Sequence, residues 1–149
     1  MKRIVNTNSK EISLHQKYAP EKVSFKPSGL WYALNLEWVE WCESEMPHWV
    51  KQYNIKIEID ESKMLIIKNW NQLMDFIKLY ATPLSERYLA QQINWRKVIK
   101  KHSGIEIVNY HSMKWKNHHV LMNHMWFYGW DVDSGCIWDL SIIKNQKIV

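Results

Sequence analysis

Over residues 55–80 the hydrophobic period of the chain changes. Ile55, Ile57 and Ile59 alternate with Lys56, Glu58 and Asp60, the two-residue period of a strand with one covered face. Trp70, Leu73, Met74, Ile77 and Tyr80 then recur at helical spacing behind Asn69, a good N-cap, and this predicts a helix over 70–80. A chain carrying both periods must pack helices against a sheet. The other elements fit that frame. Residues 2–7 read as a short strand, and Leu30–Leu34 as a second one entered through Pro27 and Gly29. Asn35 is the expected N-cap of a helix that Pro47 stops, and Met64–Ile67 resumes the sheet after a polar turn. Helical turns are expected at 84–91 and 95–101. Gly104 ends the last of these, and Ile105, Ile107 and Val108 then begin a strand with the lone acid Glu106 on its opposite, solvent face. A final strand runs from Gly135 to Leu140 and on through Ile142 and Ile143, whereas 111–128 has no single pattern. Strands and helices at irregular intervals, without a β-α-β rhythm, indicate an α+β fold with a mixed sheet and flanking helices.

The 149 residues, 46% of them hydrophobic, suit one compact domain spanning 1–149. No run approaches the roughly 20 apolar residues of a membrane span. The start, Met1 to Asn6, turns polar before a signal-like run develops, so the expectation is a cytoplasmic protein with no membrane partner. In that compartment Cys42 and Cys136 are expected as free, packed thiols. A net charge of +5 favours acidic partners such as nucleic acid or a phosphorylated cofactor. Ten tryptophans exceed what so short a chain needs for its core, and some are expected to face a ligand.

Several clusters carry possible chemistry, each beside a structural reading. Gly29, Leu30, Trp31 and Tyr32, with Trp38 and Trp41 after them, are either an aromatic core strand or the floor of a pocket for a flat heterocycle. Asp131 and Asp133 are either turn residues bonded to local backbone or a pair of acids on one side of an extended segment, next to Ser134. His118, His119 and His124 invite a metal, but adjacent residues on a helix point apart, so no metal is expected. Arg96, Lys97, Lys100 and Lys101 form a solvated helix face or a phosphate-binding one. No P-loop, dinucleotide fingerprint, nucleophile elbow, zinc-protease helix or paired CxxC occurs.

The stretch Gly29-Leu30-Trp31-Tyr32-Ala33, a strand running into an aromatic-bearing helix, resembles the nicotinamide-binding strand of the ADP-ribosyltransferase superfamily. "KPSGLWY" (26–32), "GIEI" (104–107) and "WDVDSGCIW" (130–138) also resemble motifs of small phage- and bacterium-borne proteins associated with that fold, some with a toxin or host-takeover role. The resemblance implies an ADP-ribosyltransferase-like split sheet and transfer of ADP-ribose from NAD+ to a protein, RNA or DNA acceptor. It places nicotinamide on Gly29, Leu30, Trp31 and Tyr32. The second sandwiching aromatic falls at Cys42 by strict spacing, with Trp41 beside it. The implied acid is Asp131 or Asp133, with Ser134 standing where a glutamate is usual and Glu106 as the rival. Arg3 or Asn6 takes the place of the first-strand arginine or histidine. A second expectation is a non-catalytic nucleic-acid-binding or effector-inhibiting protein on the same scaffold, acting through the basic helix near Arg96.

Overall fold

The computed structural model describes residues 1–19, 23–85 and 88–149. Seven strands form one mixed sheet: β1 (Arg3–Thr7), β2 (Leu30–Leu34), β3 (Tyr53–Ile59), β4 (Met64–Ile67), β7 (Gly104–Ile107), β8 (Ser134–Ile137) and β9 (Ile143–Ile148). Their order is β4-β7-β8-β2-β1-β3-β9, and every pairing is antiparallel except that of β4 with β7. A hairpin, β5 (Ala81–Ser85) with β6 (Tyr88–Ile93), stands apart. The helices are α1 (Glu37–Glu45), α2 (Trp70–Tyr80), α3 (Trp95–Ile99), α4 (Tyr110–Lys116), α5 (His118–Leu121) and α6 (Met125–Tyr128). This is the expected α+β class. Among the described residues no helix is long and apolar enough to cross a membrane.

The parallel pair forces a crossover, because parallel strands cannot be joined by a tight turn. α2, the hairpin and α3 make it, and Leu73, Phe76, Trp95 and Val98 pack with Ile67, Ile105 and Ile107 into a first core. Asn69 caps α2 as its spacing predicts, accepting a hydrogen bond from the Gln72 N–H at 2.9 Å. The other face of the sheet gathers Val5, Tyr32, Leu34, Ile55, Ile57, Ile59, Met64 and Ile137 into a second core. Those residues come from strands at both ends of the order, so the sheet must curl around them. Both faces are therefore covered in the middle. All four residues of β7 are buried, Glu106 included, which corrects its expected solvent exposure. Cys42 and Cys136 are free and buried.

Three further expectations change. Asn35 does not cap α1: it takes a left-handed conformation (φ 55°) and exchanges hydrogen bonds with Lys2. Helical turns at 84–91 give way to the hairpin, although residues 86 and 87 lie outside the described residues. The last strand is two: β8 ends at Ile137, a short 3-10 turn follows at Leu140–Ile142, and β9 joins the far edge of the sheet.

The three motif stretches meet at the centre, where β2, β8 and β7 are adjacent. Gly29 lies against β8, where a Cβ would stand 2.6 Å from Cys136 Sγ and from the Ile137 carbonyl oxygen. Gly135 pairs with Tyr32 on one side and Glu106 on the other, so the three form one row across the sheet. The absent side chain lets the Tyr32 ring lie over β8, and a Cβ there would collide with the ring and its hydroxyl. Gly135→Ala is expected to cost about 1–3 kcal/mol of stability by overpacking. An unchanged urea midpoint would show that Tyr32 does not need this passage.

Candidate functional site

Two constellations emerge on opposite faces of the same strands. On the concave face, Arg3 Nε and Nη2 donate to Glu106 Oε2 and Oε1 at 2.6 and 3.1 Å, and the Tyr32 hydroxyl donates to Oε2 at 2.5 Å. A second carboxylate, Glu61, meets Arg3 Nη1 at 2.8 Å. Glu106 is 1% exposed. Burial alone would lower the Arg3 pKa, but its hydrogen bond to Glu106 and that residue's charge raise it, so the guanidinium stays charged. Burial first, then Glu106, push the Tyr32 hydroxyl well above its ordinary value. Arg3, Tyr32 and Glu106, each a predicted site residue, are thus brought together, but in a sealed network with every partner satisfied.

The other face holds an open cleft of about 620 Å³. Alternation in β1 and β2 turns Ile4, Asn6, Trp31 and Ala33 towards it, while Trp130 and Ser134 complete the floor. α1 supplies Trp38, and the 3-10 turn Pro47–Trp49 supplies His48 and Trp49. Lys26 and Lys51 stand at the rim. The rings are mutually ordered. Trp31 meets Trp130 edge-on at 4.9 Å, and Trp38 tilts against Trp49 at 6.2 Å. Asn6 fixes the wall: its Oδ1 accepts from the Lys51 N–H at 2.7 Å, and its Nδ2 donates to the Lys51 carbonyl and to Asn54 Oδ1. Asn6 therefore positions the segment carrying Trp49, and its own amide is engaged.

Other predicted residues fall as follows. Gly29 and Leu30 do not line the cleft; the glycine packs on β8, and Leu30 packs against the second core. Tyr32 borders it between Trp31 and Ala33, although its hydroxyl serves Glu106. Trp41 stacks behind Trp38 at 5.1 Å, nearly parallel, so Trp38 is the wall and Trp41 its backing. Asp133 is a local backbone ligand: it accepts from the N–H groups of Asn109 and Tyr110 at 3.0 and 2.8 Å at the start of α4. The Ser134 hydroxyl donates to the Val132 carbonyl at 2.9 Å. Arg96, Lys97, Lys100 and Lys101 are exposed at α3, away from the cleft lining, and Lys97 donates to the Leu79 carbonyl.

Asp131 differs from Asp133. It holds a left-handed backbone (φ 71°), and its carboxylate feels Lys26, Lys114 and His111. Desolvation raises its pKa, and those cations oppose the rise. The Lys26 side chain is exposed as a whole, yet its ammonium is crowded 5.3 Å above the Trp31 ring, and desolvation lowers its pKa against the pull of Asp131. Lys26 and Trp49 were not among the expected site residues; the surplus of tryptophan was the one signal for Trp49, and Lys26 lies in the stretch 26–32 with no role read for it. Among the described residues no cluster of three or more His, Cys, Asp or Glu groups is disposed to hold a metal. His124 instead accepts from the Trp126 indole at 3.2 Å.

No protein-family model, curated protein or solved structure matches the chain. The site must be read from its own geometry.

The Tyr32 pKa has a testable sign. A folded-state value above the unfolded one near 10 adds stability that is complete below about pH 10 and is lost as pH rises towards the folded value. Tyr18 and Tyr110 are shifted upward too, mainly by burial. Tyr32→Phe is therefore expected to make the alkaline loss of stability shallower, without abolishing it, in urea titrations from pH 8 upward. An identical pH profile would contradict the role given to the hydroxyl.

Proposed function

We propose that the protein binds NAD+ in the tryptophan cleft and, on an ADP-ribosyltransferase-like scaffold, transfers ADP-ribose to a macromolecular acceptor. One observation carries this reading: four indoles and two lysines converge on one cleft beside the half-buried Asp131. NAD+ joins a flat cationic pyridinium, which favours an indole face, to an anionic pyrophosphate, which favours lysine.

The reaction breaks the bond between the ribose anomeric carbon and the pyridinium nitrogen. Its electron pair passes to that nitrogen, so nicotinamide leaves neutral and positive charge moves to the ribose. An acceptor nucleophile then supplies the pair that forms the new bond and gives its proton to water. Trp31 and Trp38 act by holding the ring, a term made in the ground state. Asp131 acts where charge develops, and only that term lowers the barrier. Lys26 neutralises the carboxylate until the ligand's cationic ring displaces its ammonium from Trp31.

A second reading, binding without catalysis, draws on a different observation. Among the described residues no carboxylate lines the cleft itself, and Glu106 is sealed on the opposite face. The same cleft then takes a nucleotide or an unstacked base as cargo, with stacking and lysine contacts supplying affinity.

Calorimetry and nicotinamide release separate the two. Trp31→Ala is expected to weaken NAD+ binding at least about fivefold. Asp131→Asn is expected to abolish nicotinamide release while binding persists, and Asp133→Asn to lower stability and leave release intact. Binding with no release from the native protein favours the second reading. Absence of NAD+ binding contradicts the first.

A further inference from the structure

We infer that the face formed by α4, α5 and α6 binds single-stranded nucleic acid, with Trp115 as a base-stacking platform. Residues 109–129 contain two lysines, four histidines and no carboxylate. The segment is anchored from beneath by Tyr110, Met113, Leu121, Trp126 and Phe127, all buried in the first core. Its outer surface is apolar to an extent the fold does not explain: Trp115 is 70% exposed, Met122 63% and Met125 54%. An indole so exposed offers ring surface for stacking. Beside it the Lys114 ammonium stands 5.4 Å from the Trp115 ring, 5.6 Å from Tyr110 and 5.2 Å from Tyr128. Three rings thus hold one cation in place, and the exposed Lys116 adds a second.

An open aromatic face flanked by fixed positive charge is the pairing that single strands require, since every base offers a π-face and every linkage a phosphate. Charge complementarity selects this occupant over two others. Lysine is depleted at the cores of protein–protein interfaces, yet here it sits at the centre of the patch. A membrane surface is met by a continuous amphipathic helix, whereas α4, α5 and α6 have seven, four and four residues and are separated by breaks. The inference is independent of NAD+, and its test contains none.

Fluorescence anisotropy of labelled oligo-dT and oligo-rU of about twelve nucleotides, with the full chain between about 50 and 200 mM salt, reads it directly. The native protein is expected to bind, with the two oligonucleotides separating DNA from RNA. Trp115→Ala should weaken binding at least about fivefold, and Trp115→Phe should restore most of it. Lys116→Ala should make the salt slope shallower by about 0.7. Because Trp115 is largely exposed, thermal melts of these variants should match the native protein. Three results would overturn the inference: no binding of either oligonucleotide at low salt; binding indifferent to Trp115→Ala but lost in Lys100→Glu with Lys101→Glu; or Trp115-dependent binding to phosphatidylserine vesicles alone.

Discussion

Arg3, on the first strand, reaches Glu106 on β7 across two intervening strands, and Tyr32 meets the same carboxylate from between them. In a flat sheet those strands stand roughly 14 Å apart, three inter-strand spacings. A bidentate contact at that separation is possible only if the sheet curls. The network therefore belongs with the curl and the second core as one structural fact. A buried ion pair is no net source of stability by itself, since desolvation opposes the attraction. Losing either partner would leave a charge stranded, so the pair specifies which strands come together. Gly135 makes the arrangement possible by leaving the Tyr32 ring room to lie over β8.

The curl divides the labour between faces. Tyr32 and Glu106 turn inward; Trp31, the sequence neighbour of Tyr32, and Ser134, the sequence neighbour of Gly135, turn to the open side. The cleft opens on the face that also carries the first core, where Trp38 of α1 and the 3-10 turn Pro47–Trp49 wall it. The walls on that side are held by short-range devices. Asn6 pins the segment bearing Trp49, and Asp133 ties the start of α4 to β8. Asn35, Asn109 and Asp131, the described non-glycine residues with positive φ, sit at the same end of the sheet, where β2 and β7 end and β8 begins. Asn and Asp tolerate that conformation best, and strain of this kind gathers near binding sites.

Much of the frame was legible in the sequence because local periods carried it. The strands at 2–7, 30–34 and 55–59 and the Asn69-capped helix needed no tertiary information. Glu106 was misread for a physical reason: alternation tells which residues share a face but not that both faces are covered, and nothing local signals that Arg3 will arrive opposite. The region 84–91 failed similarly, since a hairpin packed beside a crossover has no amphipathic period of its own to outweigh helical spacing. In the site, stacking residues were partly visible through the tryptophan surplus. Which indole lines the cleft was not, because Trp38 and Trp41 are one helical turn apart and only packing separates wall from backing. Asp131 and Asp133 likewise share a spacing, and only α4 tells them apart.

The division between an open tryptophan cleft and a sealed ionic face is most directly tested by the indole N–H resonances during NAD+ titration, since the ten tryptophans are distributed over the cleft, the first core and the surface, and none lies in the second core around the ionic network. Shifts are expected at Trp31, Trp38, Trp49 and Trp130, with Trp95 and Trp126 in the first core unmoved. Titration that leaves the four cleft resonances unchanged would contradict that division.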